Sequence, residues 1–331
     1  MKNLLKKIIN KENLTEKEVE EIFESIIAGN LPPVVAGAFL VALSMKGESE
    51  EEISGIVKTM RRHMKTLSVS GDILDTCGTG GDGLNTMNVS TITAFVCAAA
   101  GVKVAKHGNR SVSSKCGSFD VLESLGVKID LKKNLAEKCL DEVGIVCLFA
   151  PLYHPAMKNI VPVRRELGVR TIFNFIGPLL NPAGATHQLI GVSSREMAEK
   201  LGNILMQIGL KKVLLVHSDD GLDEVSVASP TQVFEFVQGK NMKTYKIEPE
   251  SKYFLDEVQG GEAEENAKIM KDILSGNGTD AHNEFIALNA GLALFAADKV
   301  ETFVEGKSMA YELIKSGAGM KKLEELIKFN N

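Results

Sequence analysis

From residue 68 onward, short β-rich runs alternate with segments of helical length. The runs read DILDTC, VKVAKHG, GIVCLFAP, KVLLVHS and TYKIEP, and glycines follow or end the first two. Strands that alternate with helices in this way are typical of a largely parallel sheet with helices packed around it. The pattern therefore predicts an α/β fold for this part of the chain.

Residues 1–66 have a helical pattern instead. Thr15 with Glu18, and Ser49 with Glu52, have the spacing of capping boxes at helix starts. The apolar residues after the first box have the spacing of one buried helical face: Val19, Ile22, Phe23, Ile26 and Ile27. We therefore expect a small all-helical N-terminal domain before the larger α/β domain.

The stretch 158–186 interrupts the strand–helix alternation. KNIVPVRRELG has a helical pattern, and NFIGPLLNPAG reads as a rigid, turn-rich loop. We expect this stretch to return to the helical domain or to cross between domains, as a helix and a hinge. The predicted division is a helical domain at 1–66, joined by about 158–186, and an α/β domain with a mainly parallel central sheet at 70–157 and 187–331.

The composition of the chain argues against several classes of protein. The net charge of −5 argues against a nonspecific nucleic-acid binder, which usually has a basic excess. The five cysteines include no C-x-x-C spacing, so neither a disulfide framework nor a common zinc site is indicated, and a reducing cytoplasm is expected. The longest weakly polar stretch is shorter than the ~20 apolar residues of a spanning helix, so we expect no membrane association.

The segment DTCGTGGDGLNTMNVST contains G-x-G-x-x-G at Gly78, Gly80 and Gly83. A dinucleotide site would also need an acidic residue after the second strand, where this chain has Lys106 and His107. Phosphate binding by backbone N–H groups, at a glycine turn and a helix start near Asn88, is favoured instead. The alternative is that Asn88 and Ser90 merely cap the helix.

Two further stretches fit the same interpretation. KHGNRSVSSKCGS follows a predicted strand and offers Lys106, Arg110 and Lys115 among serines and glycines, although each cation alone could be an ordinary surface charge. Asp223 and Glu224, in SDDGLDEVS, could be a solvated turn, or could hold Mg²⁺ beside a phosphate together with the Ser90 hydroxyl. Ligands of open α/β sheets bind beyond the carboxyl ends of the strands.

Together these stretches resemble the anthranilate phosphoribosyltransferase family. GTGGD, NVST, KHGNR, VRRELGVRTIFNFIGPLLNP and GLDE occur in the family's order and approximate spacing over nearly the whole chain. Met87 and Leu180 depart from the family's usual phenylalanine and threonine. The resemblance implies a magnesium-dependent transferase of tryptophan biosynthesis, which joins the phosphoribosyl group of phosphoribosyl pyrophosphate to the amine of anthranilate.

The resemblance also implies which residues bind each ligand. Those for phosphoribosyl pyrophosphate are Gly78, Thr79, Gly80, Gly81, Asp82, Thr86, Asn88, Val89, Ser90, Thr91, Lys106, His107, Gly108, Asn109, Arg110, Ser111, Val112, Ser113, Ser114 and Ser118. Those for anthranilate and its access path are Gly78, His107, Asn109, Tyr153, His154, Arg164, Gly177 and Pro178. Ser90, Asp223 and Glu224 correspond to ligands of Mg²⁺, with two ions expected per subunit.

An aryl amine is already unprotonated at neutral pH, so no general base is expected. Lys106, Asn109 and Arg164 would contribute orientation and charge stabilisation. By residue type alone Arg164, Arg165 and Arg170 are equal candidates for the anthranilate carboxylate, and the resemblance selects Arg164. Domain closure would bring the substrates together, and the apolar N-terminal helices are a possible homodimer surface. A pyrimidine nucleoside phosphorylase and a noncatalytic nucleic-acid-binding relative remain the alternatives.

Overall fold

The structure is a computed structural model that describes residues 2–80, 83–111, 115–250 and 253–330. The chain forms two compact units, one of Met1–Lys65 with Pro151–Leu180, and one of Thr66–Ala150 with Asn181–Asn331. The chain thus leaves the first unit after residue 65, and it passes through that unit again before the second half of the other.

The first unit is all-helical. Its helices are α1 Lys2–Ile9, α2 Glu16–Ile27, α3 Pro33–Lys46, α4 Glu50–His63, α8 Ala150–Tyr153, which begins one residue before this unit, and α9 Val161–Leu167. Three 3-10 turns complete it, Pro155–Asn159, Ile172–Asn174 and Gly177–Leu180. Both predicted capping boxes are present, at Thr15 and at Ser49. The predicted apolar face of α2 is buried, so its side chains form the core of this unit.

The second unit contains a seven-stranded sheet. The strands are β1 Leu74–Gly78, β2 Val104–Gly108, β3 Ile145–Phe149, β4 His187–Gly191, β5 Lys212–Ser218, β6 Thr231–Val237 and β7 Lys243–Ile247. Their order is β3-β2-β1-β4-β5-β6-β7. The first five are mutually parallel, whereas β6 and β7 are added antiparallel. The predicted mainly parallel sheet is confirmed, and all five parallel strands end at the same edge.

Helices surround this sheet. They are α5 Val89–Ala99, α6 Ser118–Ser124, α7 Lys133–Glu142, α10 Arg195–Gln207, α11 Ala263–Leu274, α12 Asp280–Ala296, α13 Phe303–Lys315 and α14 Ala318–Asn330, with a 3-10 turn at Leu255–Val258. The central pair, α5 and α12, is apolar nearly all round because both helices pack between the sheet and other helices. No helix in the described residues is long and apolar enough to span a bilayer.

The two units divide at slightly different positions from those expected from the sequence. Residues 151–157 cluster with the helical unit, since the 3-10 turn Pro155–Asn159 packs against α2 and α4. Residues 181–186 cluster with the sheet, since Thr186 donates its N–H to Ile73 and Pro182 accepts the N–H of Leu67. Hydrogen bonds to the start of β1 therefore place this end of the hinge stretch with the α/β unit.

Candidate active site

Glycines end three of the parallel strands, at Gly78, Gly108 and Gly191. A Cβ added at Gly191 would lie 1.5 Å from the carbonyl oxygen of Asp223, and one at Gly78 would lie 2.5 Å from Asp223 Oδ2. No side chain could occupy either position without moving the turn that follows β5. The absence of a Cβ at the ends of β1 and β4 is therefore what lets the acidic turn reach this edge of the sheet.

This approach joins two stretches that are 143 residues apart in the sequence. The Oδ2 atom of Asp223 accepts the backbone N–H of Gly80 at 2.8 Å. Asp223 is only 8% exposed, while Glu224 beside it is half-buried. Gly80 and Gly83 have φ angles of +64° and +75°, which favour glycine. The acidic turn and the glycine turn therefore form one local structure; Gly81 and Asp82 lie outside the described residues.

The helix after the glycine turn begins at Val89, with Ser90 and Thr91 in its first turn. Asn88 occupies the N-cap position, but its side chain makes no capping hydrogen bond. Instead, Asn88 Nδ2 donates to the carbonyl of Cys116, and Asn88 Oδ1 accepts from Asn266 Nδ2 at 3.0 Å. The interpretation of Asn88 as a simple helix cap is therefore wrong, and the first N–H groups of α5 receive no bond from its side chain.

Lys106 is the buried cation of the edge. Its side chain is 2% exposed, and its Nζ donates to the carbonyl of Thr76 at 2.7 Å and to Ser90 Oγ at 3.2 Å. Because the ammonium donates to Ser90 Oγ, the hydroxyl proton of Ser90 is directed elsewhere. A buried lysine requires compensation of its charge, and the electrostatic partner here is the carboxylate of Asp75.

Asp75 is fully buried in β1. Its carboxylate accepts the N–H of His107 at 3.2 Å and the side-chain amide of Asn181 at 2.8 Å. Asn181 also donates to the carbonyl of Ala105 at 2.8 Å. Burial raises the pKa of Asp75, while the charge of Lys106 and the hydrogen bond from Asn181 oppose that shift. Asp75 and Asn181 therefore fix the backbone of β2 at Ala105 and His107, on either side of Lys106.

The loop after β2 is held at both ends by one carboxylate. Asp120 accepts the N–H groups of Ser111 and Gly117, each at 2.8 Å. Ser118 Oγ donates to the carbonyl of Asn109. Arg110, predicted to bind phosphate, makes a two-point ion pair with Glu123 at 2.8 Å, so its charge is compensated within the protein. Val112, Ser113 and Ser114 lie outside the described residues.

The three residues predicted to bind magnesium have suitable chemistry. Asp223 and Glu224 are carboxylates and Ser90 is a hydroxyl, and hard oxygens of this kind are what Mg²⁺ prefers. The described residues contain no group of three or more His, Cys, Asp or Glu side chains able to hold a metal alone. The residues therefore fit an ion that takes further ligands from substrate phosphates and water, as Mg²⁺ usually does.

Two hydroxyls at this edge are buried without a hydrogen-bond partner among the described residues. They are Thr79 Oγ1, in the glycine turn, and Thr91 Oγ1, in the first turn of α5. Buried polar atoms are normally paired, and each exception calls for an explanation such as a ligand. Both threonines belong to the set predicted to bind phosphoribosyl pyrophosphate. A ligand with several acceptor oxygens would satisfy such donors.

In the helical unit, Arg164 is the half-buried arginine of α9, whereas Arg165 and Arg170 are exposed. Its guanidinium lies over the ring of Phe173, with Cζ 5.4 Å from the ring centroid. Burial lowers the pKa of Arg164. No acidic side chain in the described part of the chain pairs with it. Arg164 is therefore a desolvated cation whose carboxylate partner the described residues do not supply.

Of the other residues predicted in this unit, Gly177 and Pro178 lie in the 3-10 turn Gly177–Leu180, and Tyr153 and His154 lie at and just after the end of α8. Arg61 donates to the carbonyl of Leu179 at 3.0 Å and so holds the turn. His154 is buried, and burial lowers the pKa of its imidazole to about 4, although a hydrogen bond with the Leu180 backbone opposes the shift. Tyr153 is buried too, and its carbonyl accepts the N–H of Lys65. The His154 imidazole is thus neutral at physiological pH.

The thiol of Cys77 is a poor nucleophile. Burial raises the pKa of Cys77 well above its ordinary value, and the charge of Asp75 raises it further. The thiolate is the reactive form of cysteine, so a raised pKa removes the nucleophile. Covalent catalysis by this residue is therefore disfavoured.

Sequence reasoning missed several residues that position the site. Sequence patterns assign no role to four residues that fix His107, Asn88 and Arg164, namely Asp75, Asn181, Asn266 and Phe173. The signal for Asp75 was present, since a carboxylate inside an apolar strand is unusual. Asn181 and Asn266 act through partners distant in the sequence, and Phe173 acts through an arginine in another helix, so no local pattern identifies them.

Comparisons with known proteins agree with this geometry. Residues 2–64 match the model of the glycosyl transferase family helical bundle domain, and residues 70–320 match that of the glycosyl transferase family a/b domain. The chain is 47% identical to the anthranilate phosphoribosyltransferase of Desulfosudis oleivorans over 98% of this chain and 97% of that protein. It is 45% identical to the enzyme of the same name from Persephonella marina, over 100% and 99%. The chain belongs to the anthranilate phosphoribosyltransferase family.

Solved structures of anthranilate phosphoribosyltransferases share the whole fold. The Thermus thermophilus structure superposes with a TM-score of 0.90 at 40% identity, covering 98% of each chain. The Saccharomyces cerevisiae structure in complex with PRPP and Mg gives 0.89 at 28% identity, covering 98% of this chain and 96% of that one. The family resemblance and the fold class predicted from the motifs are confirmed. At the two departures, Met87 and Leu180, the side chains are buried, so an apolar residue fits both positions.

Proposed function

We propose that this chain transfers the phosphoribosyl group of phosphoribosyl pyrophosphate to the amine of anthranilate, releasing pyrophosphate. The observation that carries the proposal is the hydrogen bond from Gly80 to Asp223. It joins an acidic, metal-suited turn to a glycine turn and a helix start at the carboxyl edge of a parallel sheet. That edge is where α/β proteins bind ligands. The family membership of the whole chain supports the same reaction.

The α/β unit binds the sugar diphosphate in this proposal. N–H groups of the glycine turn and of the first turn of α5 donate to phosphate oxygens, with Lys106 as the buried positive charge. The hydroxyls of Thr79, Ser90 and Thr91 add donors. Negative charge grows on the leaving pyrophosphate as its bond to C1 of the ribose breaks. Fixed dipoles and a cation already in place stabilise that charge without reorganising. Asn109 and the loop that follows it, as far as Ser118, complete the proposed binding site for phosphoribosyl pyrophosphate.

Ser90, Asp223 and Glu224 would hold Mg²⁺, with two ions per subunit. Bound Mg²⁺ supplies Lewis-acid stabilisation of the diphosphate oxygens. The carboxylates also explain why a phosphate site contains negative charge, since the substrate arrives with its own cation. Isothermal titration with Mg²⁺ and phosphoribosyl pyrophosphate would give the ion count, and a stoichiometry of one would correct it.

The helical unit supplies Arg164 for the anthranilate carboxylate, because a planar guanidinium pairs with a planar carboxylate at two points. The amine of anthranilate is unprotonated at neutral pH and attacks C1 directly as the bond to pyrophosphate breaks. The nitrogen then loses a proton to water or to the released pyrophosphate, so no general base is required to start the reaction. Asn109, with Gly78, His107, Tyr153, His154, Gly177 and Pro178, would line the path of the aromatic acid. The protein's contribution at this substrate is orientation and exclusion of water.

The decisive test is one turnover assay. Anthranilate fluorescence should decay when protein, phosphoribosyl pyrophosphate and Mg²⁺ are combined, and omission of any one component should leave it constant. Phosphorolysis of thymidine or uridine, with no decay of anthranilate fluorescence, would show that the chain is a nucleoside phosphorylase instead.

Replacing Arg164 tests the proposed binding of anthranilate, the acceptor of the phosphoribosyl group. Arg164→Ala should raise the KM for anthranilate about tenfold to a hundredfold, the usual cost of a lost charged hydrogen bond, and should leave the KM for phosphoribosyl pyrophosphate nearly unchanged. Arg165→Ala, one residue along and exposed, is the matched control. Equal rises in both KM values would show that Arg164 does not act on the acceptor.

We further propose a cytoplasmic homodimer. The exposed face of α3 carries Val34, 83% exposed, and Met45, 81% exposed, and Ile9 of α1 is 65% exposed. Apolar side chains exposed in this number on neighbouring helices favour association. Light scattering should give twice the chain mass, and Val34→Glu with Met45→Glu should reduce it to one chain mass. A monomeric wild-type protein would refute the dimer.

A further inference from the structure

Phe173 connects Arg164 to the aromatic core of the helical unit. The Phe173 ring lies 5.4 Å from Arg164 Cζ on one side and 5.9 Å from the ring of Phe23 on another. Phe23 is fully buried in α2, and it meets Phe39 of α3 edge-on at 5.9 Å. A continuous row of three rings therefore runs from the core of the helical unit to the guanidinium.

The backbone that carries Phe173 is also fixed. Phe173 lies in the 3-10 turn Ile172–Asn174, and the N–H of Thr171 donates to Asn174 Oδ1 at 3.0 Å at the start of that turn. Ring and backbone are thus both held in place. A guanidinium over such a ring is attracted by the negative face of the ring. The ring face restricts the orientation of the guanidinium and leaves its N–H edges available.

The other arginines that lie over phenylalanine rings in the described part of the chain show what is missing at Arg164. Arg110 lies over Phe149 and makes an ion pair with Glu123 at 2.8 Å. Arg195 lies over Phe234 and makes an ion pair with Glu199 at 3.2 Å. In both cases a glutamate binds the edge of the guanidinium while a ring covers its face.

Arg164 and Phe173 have the same ring contact but no carboxylate from the described residues. We propose that Phe173 is a positioning residue, which orients the Arg164 guanidinium so that the carboxylate of an aromatic acid completes the arrangement that Glu123 and Glu199 complete elsewhere. The inference rests on the proposed function only for the identity of that acid. The ligand class it requires is a planar aromatic carboxylate, bound edge-on to the guanidinium.

Phe173→Leu keeps an apolar side chain and removes the ring, whereas Phe173→Tyr keeps the ring. Anthranilate binding to each full-length variant is measured by fluorescence titration without phosphoribosyl pyrophosphate, and turnover is measured separately. Phe173→Leu should weaken binding and raise the KM for anthranilate about fivefold, equivalent to about 1 kcal/mol, with kcat and the other KM within about twofold. Phe173→Tyr should restore both values to within about twofold of wild type.

Phe175→Leu is the matched control, since Phe175 is a half-buried phenylalanine two residues along. A double-mutant cycle then separates positioning from packing. In an Arg164→Ala background, Phe173→Leu should add less than twofold, because the group it positions is absent. An undiminished fivefold effect in that background, or an equal effect of Phe175→Leu, would overturn the proposal.

Because anthranilate binding and turnover are measured separately, the positioning role of Phe173 can be tested independently of the proposed reaction. Loss of anthranilate binding in Phe173→Leu would support the positioning role even if no transfer to the amine were detected, and only the proposed function would then fail. If wild type turned over normally and Phe173→Leu bound anthranilate as tightly as wild type, the proposed function would be supported and the positioning role of Phe173 would be refuted. Melting temperatures of all variants exclude unfolding as the cause of a loss.

Discussion

Buried polar side chains at the two edges of the parallel sheet differ in their hydrogen bonding. At the carboxyl edge, the hydroxyls of Thr79 and Thr91 are buried without partners among the described residues. At the amino edge, Lys212 at the start of β5 donates to Asp298 at 2.9 Å and to the carbonyl of Phe295 at 2.7 Å. His187, at the start of β4, is hydrogen-bonded to Thr186 at 2.8 Å.

This difference indicates that the carboxyl edge contributes mainly to ligand binding and the amino edge mainly to stability. A buried polar atom without a partner costs about 1–3 kcal/mol of stability, and a ligand that supplies the partner recovers that free energy on binding. At the amino edge, the ammonium of Lys212 and the imidazole of His187 are both hydrogen-bonded within the described residues, so a ligand would gain little from either group. The two unpartnered hydroxyls at the carboxyl edge therefore cost stability, and functional sites commonly carry such a cost.

The largest expected effect comes from neutralising the acidic turn. Asp223→Asn with Glu224→Gln keeps an acceptor for the Gly80 N–H and removes both charges, so the fold should be retained. We expect kcat/KM to fall about a hundredfold or more and its Mg²⁺ dependence to shift, because hard anionic ligands are lost. The measurement is initial rate against Mg²⁺ concentration.

The control for that variant lies in the same turn. Asp219 is exposed and makes an ion pair with Lys246 at 2.8 Å, so Asp219→Asn removes one charge without touching the glycine turn. Its Mg²⁺ titration should match that of wild type. An unchanged titration in the double variant would remove Asp223 and Glu224 from the proposed metal site.

A pair of threonine variants compares the edges directly. Thr91→Val removes an unpartnered hydroxyl, so stability should stay constant or rise slightly, while the KM for phosphoribosyl pyrophosphate rises about tenfold. Thr186→Val removes the acceptor of the Ile73 N–H at 2.9 Å, so stability should fall by about 1–2 kcal/mol with both KM values unchanged. Urea unfolding and steady-state kinetics measure the two quantities.

The opposite pattern would contradict the comparison. If Thr91→Val lowered stability and left the KM unchanged, the hydroxyl would have a partner within the protein. If Thr186→Val changed the KM for phosphoribosyl pyrophosphate, the amino edge would be coupled to the site. Either result would mean that ligand binding and stability do not depend on separate edges of the sheet.

Local patterns were sufficient for much of the fold. The capping boxes at Thr15 and Ser49 and the period of the apolar residues in α2 predicted the helical unit, because helix signals lie within a few residues of one another. Glycines at strand ends predicted the turn at Gly80. The strands β4 and β6 were missed, since HQLIG directly follows the turn-rich stretch 158–186 and no helix separates TQVFEFV from β5.

The network behind the site could not be predicted in this way. Gly191 is required because of Asp223, Asn88 is oriented by Asn266, and Arg164 by Phe173. Each dependence joins residues that only the folded chain brings together. The resemblance to a family named the residues that contact substrate, but it did not name those that hold them. Positioning residues therefore required coordinates, whereas ligand-binding motifs did not.

The smallest expected effect concerns pH and the amino edge. Burial lowers the pKa of His187, although Asp72 and Asp298 oppose the shift. The unfolded chain therefore takes up the proton at a higher pH than the folded chain, and stability decreases as the pH falls through the ordinary histidine value near 6.5. His187→Asn should make the loss of stability between about pH 7 and pH 5 shallower, with the KM for phosphoribosyl pyrophosphate unchanged at each pH. Urea midpoints across this range measure the slope, and an identical slope in variant and wild type would show that His187 contributes no pH dependence. A change in the KM together with the slope would instead show that His187, at the amino edge, is coupled to the substrate site.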